Sequence, residues 1–262
     1  MTMAVVHRFV TGIGTGLALG LALAGCGSTP PTPLPSTNVD TRLADRDRLA
    51  GLAAAAKDKR YVATYTLTTP SRPDRTVTVA FGADGTWVVA IPGAALSGLA
   101  DIAIYRSGAG LFQCLIGPAA GTAGTRPDLG QMTPSCVAVP ALTAATDPLV
   151  QHIFTDWIDP LVDRATALSV ATTTLPGADG ACYSVESNSA ALAPPLDPGV
   201  YCYSADGVLT GARVGFGTLL LAGAVAAAPP SVTMPAPLVA RAPLTMIAPP
   251  APAVSASPTT AG

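Results

Sequence analysis

From Tyr61 onward the chain alternates apolar and polar positions with a period of two. Tyr61, Ala63, Tyr65 and Leu67 interleave with Val62, Thr64, Thr66 and Thr68, which predicts a strand with one buried face. After a Ser71-Arg72-Pro73-Asp74 turn, Val77, Val79 and Phe81 interleave with Thr76, Thr78 and Ala80. Gly82-Ala83-Asp84-Gly85 reads as a hairpin turn, and Trp87, Val89 and Ile91 continue the inward face. Ile102 to Arg106 and Leu111 to Ile116 form a further hairpin around Gly108-Ala109-Gly110. Strands are predicted again over 167–175, 181–187, 200–205, 207–216 and 218–226, with Asp206-Gly207 as a tight turn. Hairpin after hairpin predicts an antiparallel meander with one apolar face and one rich in Thr.

Two stretches carry helical spacing instead. Asn38 or Asp40 is positioned to cap a helix running to about Arg60. Its apolar positions are Leu43, Leu49, Leu52 and the Ala53–Ala56 run, and Lys57, Lys59 and Arg60 suit the negative end of its dipole. The second begins at Asp147-Pro148, a cap followed by proline at the first helical position. Leu149, Val150, Ile153, Phe154, Trp157, Ile158, Leu161, Val162 and Ala165 form its wide apolar stripe. Asp159-Pro160 repeats the cap-and-proline device, so a kink or two short helices are expected there. The expected class is therefore α+β, a curved antiparallel sheet with helices able to cover its apolar face.

Composition marks the segments between these elements. Ser28–Thr37 holds four prolines in ten residues and reads as a semi-extended tether. Residues 117–135 are a loop by their Gly, Ala, Thr and Pro content. From Pro229 there are nine prolines in 34 residues, and the part from about Arg241 reads as a disordered tail.

The N-terminus adds an address. One basic residue, Arg8, precedes an apolar run from Val10 to Leu23, too short to span a bilayer, which takes roughly 20 residues. It ends in Leu23-Ala24-Gly25-Cys26. This small-small-Cys ending resembles the lipobox of bacterial lipoproteins. The resemblance implies cleavage before Cys26, a diacylglyceryl group on its thiol, and anchoring to the outer, extracytoplasmic face of the cell membrane by two or more acyl chains such as palmitate. The expected organisation is a signal peptide over 1–25, lipidated Cys26 and tether over 26–37, a folded domain over 38–240 and a tail over 241–262.

Four further cysteines remain, Cys114, Cys136, Cys182 and Cys202. An even number in an exported chain reads as two disulfides. Three connectivities are possible, and nearest-neighbour pairing gives Cys114–Cys136 and Cys182–Cys202, with loops of similar length. A four-Cys metal site is a poor alternative, because no C-x2-C pair occurs and the mature chain has a single histidine, His152. No metal or cofactor is expected.

Charge and motifs exclude more than they assign. Charged residues make up 11%, against about 25% in an average soluble domain, and the net charge is −2. No basic cluster exceeds Lys57-Asp58-Lys59-Arg60, so nucleic acid is not an expected partner. Gly12-Ile13-Gly14-Thr15-Gly16 falls inside the signal and follows no strand, so it is no nucleotide loop. No G-x-S-x-G elbow is present. A hydrolytic triad would have to use His152, which reads as a solvent-facing or rim residue. Asp156 and Asp159, spaced i and i+3, read as helix-cap residues rather than a catalytic dyad. The chain is not expected to be an enzyme.

The order of elements, with Ala181-Cys182-Tyr183-Ser184-Val185, Val200-Tyr201-Cys202-Tyr203-Ser204-Ala205-Asp206-Gly207-Val208-Leu209 and a closing Gly217-to-Val225 strand before Met234-Pro235, resembles the actinobacterial lipoproteins of the LolA-like and LppX/LprG-like superfamily over about residues 38–235. The resemblance implies an unclosed β half-barrel with an N-terminal helix and a helical insertion across its mouth, binding or handing on an acylated molecule in the cell envelope. On that reading the protein is a monomer, its only partners are the membrane and a lipid ligand, and Phe81, Trp87, Phe154 and Trp157 wall the lipid cavity. The competing expectation is the same fold with a filled interior, serving as a structural or partner-binding envelope module.

Overall fold

A computed structural model describes residues 37–121, 132–188 and 194–247. The expected signal, Cys26, the tether through Ser36 and residues 248–262 lie outside the described residues. Helix α1 (Thr37–Asp58) is followed by β1 (Tyr61–Thr68), β2 (Arg75–Phe81), β3 (Trp87–Ala95), β4 (Ala100–Ser107), β5 (Gly110–Pro118) and β6 (Ser135–Val139). A 3-10 segment (Leu149–Phe154) and a short helix α2 (Ile158–Val162) come next. Then follow β7 (Leu168–Thr173), β8 (Ala181–Ser187), β9 (Gly199–Tyr203), β10 (Leu209–Val214), β11 (Gly217–Leu221) and β12 (Ala226–Ala227).

Among the described residues all twelve strands belong to one antiparallel sheet that does not close. Its order is β6-β5-β4-β3-β2-β1-β11-β10-β9-β8-β7, with β12 continuing alongside β1. Register shifts interrupt the β3–β4, β4–β5 and β9–β10 pairings, and such irregularities bend and twist a sheet.

The helices pack on one face. Tyr65, Leu67, Val79, Val89, Ile91, Tyr201, Tyr203 and Leu219 share a core with Leu49 and Ala53 of α1 and with Ile153, Phe154, Trp157 and Leu161. The Asp206-Gly207 turn closes on α1. A Cβ on Gly207 would stand 2.5 Å from the backbone of Ala55 and Ala56, so only glycine allows this approach. The second helical stretch does divide, but at Thr155, whose backbone leaves helical geometry, and not at Asp159-Pro160. Pro160 is accommodated within the first turn of α2, where its missing N–H has no partner to lose.

Two charged α1 residues are buried clips. Arg46 donates to the carbonyls of Leu161 (2.5 Å), Pro160 (3.0 Å) and Asp163, satisfying the open C-terminal end of α2. Asp45 accepts the Thr172 N–H (2.9 Å) and hydroxyl (2.8 Å), which blunts the β7 edge. Leu43, expected on the apolar side, is 61% exposed.

The opposite face is not uniformly polar. Along β3–β5 it is covered by the proline-rich segment after β12. Ala83 and Asp84 donate to Pro229 and Pro230, Tyr105 to Val232, and Cys136 to Pro237, while Val239 donates back to Cys136. Cys136 and Leu238 form a parallel bridge, so the segment also covers the β6 edge. The tail expected to be disordered from Arg241 stays engaged through Met246. Arg241 donates to Ser135, the Leu244 N–H donates to Gln113, and Leu96 and Ser97 donate to Thr245 and Met246. Prolines tolerate this role because a strap uses mostly its carbonyls as acceptors.

Cys114–Cys136 and Cys182–Cys202 are disulfide-bonded. Each pair occupies directly opposite positions on neighbouring strands, β5–β6 and β8–β9.

Candidate functional site

The site is built from one end of the sheet upward. Phe81 pairs with Trp87, Trp87 with Arg106, and Arg106 with Leu111. Directly opposite residues of an antiparallel pair share a face, and this row shares that of Val89 and Ile91, the face carrying the helices. Tyr61 extends it, with its ring 5.4 Å from that of Phe81. The period of two alone brings these residues together. The C-terminal turn of α1 and the chain around Thr155 stand over the row.

Between them opens a cleft of about 410 Å³, within the range of ligand pockets. Phe81, Trp87 and Phe154 form its apolar wall, with Ile158 and Ala56. Phe154 is itself packed on Tyr65, ring centroids 5.0 Å apart. The rim carries Lys57, Lys59, Arg60 and Arg106 against Asp156 and Asp159. A second cleft, of about 480 Å³, shares Lys59 and Arg60 and is lined by Tyr61, Val208, Leu221 and Val225.

The rim carboxylates are already engaged. Lys57 Nζ donates to Asp159 at 2.7 Å, and that hydrogen bond and charge hold the Lys57 pKa above its ordinary value. Lys59 donates to Asp206, which with Ser204 holds the Asp206 carboxyl below the usual range. His152 donates from Nε2 to Asp147 (2.6 Å) and from Nδ1 to Asp156 (3.0 Å). Burial pulls the imidazolium pKa down, but the hydrogen bonds and charges of the two carboxylates outweigh it and raise it to about 9. The same contact, against the opposing effect of burial and with help from the Arg106 charge, holds Asp156 low. His152 is therefore a charged, mostly buried clamp, its side chain 15% exposed, and not the rim residue expected. Asp156 and Asp159 cap nothing: α2 begins after Trp157 without a side-chain cap.

Arg60 and Arg106 differ from the other cations. Arg60 Nη1 donates to the carbonyls of Lys57 (2.9 Å) and Lys59 (3.1 Å) but pairs with no carboxylate among the described residues. Arg106 is exposed and has neither an ion pair nor a hydrogen-bonded side chain among them.

Of the four residues expected to wall a cavity, the structure brings Phe81, Trp87 and Phe154 together. Trp157 is elsewhere, buried with its ring stacked between those of His152 (5.7 Å) and Phe216 (6.2 Å). The break at Thr155 turns it away from Phe154. Sequence reasoning missed Arg106, although its place in the Phe81–Trp87 row follows from counting the β3–β4 hairpin. It also missed Arg60 as a rim residue, reading it only as a dipole partner.

A larger cleft of about 710 Å³ occupies the opposite end of β2–β4. Its two arginines, Arg72 and Arg75, face two aspartates, Asp74 and Asp101, and none of the expected aromatic residues lines it. Among the described residues no group of three or more His, Cys, Asp and Glu side chains is placed to hold a metal, and no helix is long and apolar enough to cross a membrane. No protein-family model matches the chain, and no curated protein matches it.

Proposed function

We propose that this chain is a lipid-anchored envelope protein that binds or hands on an amphipathic lipid, with the Phe81–Trp87–Phe154 cleft as the entry for its apolar part. One observation carries the reading: three aromatic side chains from β2, β3 and the 3-10 segment converge on a single cleft whose rim is cationic. The unclosed sheet, with α1, the 3-10 segment and α2 against one face, supports a half-barrel of the LolA-like kind with helices across its mouth. Each methylene taken into the cleft is worth about 0.8 kcal/mol, so a partly buried chain gives an exchangeable complex. Cys26 supplies the anchor at the extracytoplasmic face in this reading.

The reading is of a binding protein, not an enzyme. His152 is clamped by two carboxylates, and Cys114, Cys136, Cys182 and Cys202 are in disulfides, which favours a structural use of both residue types.

A second reading has its own support. Ile153, Phe154, Trp157 and Leu161 are buried against the sheet in one continuous core, as in a filled module that binds a protein partner. Native mass spectrometry of the lipidated chain purified from an envelope host separates the two. A bound species lost on organic extraction supports the lipid reading; a mass equal to the lipidated chain alone overturns it and favours the filled module. The same spectrum tests the anchor, since Cys26→Ser must abolish the acyl mass.

A further inference from the structure

We infer that the cleft selects its ligand by an anionic head held between Arg60 and Arg106, a conclusion that rests on the lipid-binding reading above. The sheet and the helix contribute one guanidinium each. Arg106 projects from β4 on the face shared with Trp87. Arg60 follows the α1 C-terminus, with one end of its fork fixed on the Lys57 and Lys59 carbonyls.

Three nearby carboxylates each have a hydrogen-bonded partner. Asp159 accepts from Lys57, Asp206 from Lys59, and Asp156 from His152. Neither arginine is hydrogen-bonded to a carboxylate among the described residues, although the Arg106 charge acts on Asp156, and both keep guanidinium donors to offer at the mouth of an aromatic pocket. A guanidinium presents a planar fork of donors that matches phosphate or carboxylate oxygens bidentately. An uncharged head leaves those donors to water and draws nothing from the charge. The aromatic wall of the first cleft and the Tyr61, Val208, Leu221 and Val225 lining of the second, on either side of Arg60, place a tail beside the head. The ligand class is thus a single- or double-chain amphiphile with a phosphate or carboxylate head, rather than a free anion or a neutral lipid.

The test is isothermal titration of the full lipidated chain with three probes below their micellar concentrations: dodecyl phosphate, dodecyl maltoside and inorganic phosphate. Dodecyl phosphate is expected to bind saturably, at least about tenfold more tightly than dodecyl maltoside, and inorganic phosphate more weakly than either. Arg106→Gln is expected to weaken dodecyl phosphate by about tenfold, as loss of a hydrogen bond to a charged group commonly does, and to leave dodecyl maltoside unchanged. Among the described residues the Arg106 side chain makes no hydrogen bond whose loss would disturb the fold. Arg48→Gln, on the exposed side of α1, is expected to change neither affinity. Equal binding of the two detergents, or an Arg106→Gln variant that retains full dodecyl phosphate affinity, overturns the anionic-head inference while the amphiphile reading stands. Inorganic phosphate binding as tightly as dodecyl phosphate overturns it in favour of a free anion. Binding of no probe overturns both readings.

Discussion

Trp87 on β3 stands directly opposite Arg106 on β4, and both border the aromatic cleft. The pair joins an apolar wall to an exposed cation at one point, and Trp87 can report on what enters. The chain has two tryptophans, and Trp157 is packed away from the cleft. In a Trp157→Phe protein, dodecyl phosphate should shift the Trp87 emission to shorter wavelength. Trp87→Ala should weaken binding roughly ten- to thirtyfold, the range for a central aromatic contact. A response from Trp157 in the Trp87→Phe protein instead would mean that the ligand enters the core beside Phe216.

His152 makes stability depend on alkaline pH. Its folded pKa, about 9, lies above the ordinary histidine value near 6.5. A raised pKa means the folded state binds the proton more tightly. The stabilisation is therefore complete below about pH 6.5 and fades as pH rises through about 9. Linkage gives roughly 2–3 kcal/mol for such a shift in a mostly buried group. Urea unfolding of the wild type between pH 6 and 10 should show this decline, and His152→Gln should flatten it. Asp156 acts in the opposite sense: its pKa is lowered, so its contribution is lost as pH falls through that lowered value.

Arg46 ties α1 to the end of α2 through three carbonyls. Arg46→Met keeps much of the side-chain volume but leaves those carbonyls without their charged donor. The expected cost is roughly 2–4 kcal/mol, read as a lower urea midpoint with an unchanged slope. Arg46→Lys should recover part of it, since an ammonium reaches one or two of the three acceptors. A full-stability Arg46→Met protein would show that the helix end is satisfied by water.

The β-meander was legible because its strands obey a period of two, and the row Phe81, Trp87, Arg106 follows from hairpin register. The disulfides were legible for a related reason: in a meander, cysteines near in sequence fall on neighbouring strands. Three features were not legible. Arg46 and Asp45 look like surface charges on a helix, and only the distant ends of α2 and β7 make them internal. Trp157 continues the helical stripe of Phe154 until the backbone breaks at Thr155, a break that the Asp159-Pro160 pair placed too late. The strap reads as disorder because composition records how many prolines are present, not whether the face beside them is apolar.

That strap yields the last prediction. Its Val232 and Ala236 pack on Tyr105, Phe112 and the Cys114–Cys136 bridge, and its backbone pairs along β6. Gln113, fully buried, pins its far end: the side chain donates to the Thr146 and Leu244 carbonyls and accepts the Leu244 N–H. A chain ending at Ala228 should expose both an apolar face and an open strand edge, a combination that templates pairing between molecules. It should elute as soluble aggregate or precipitate, whereas a chain ending at Ile247 keeps the described contacts and should elute as the wild type does. Gln113→Leu separates anchoring from mere coverage. It leaves the strap in place but strips its pin and orphans two carbonyls and an N–H, so it should cost roughly 2–3 kcal/mol and open residues 241–247 to proteolysis first. An Ala228-terminated chain that stays monomeric with wild-type stability would show that β6 guards its own edge.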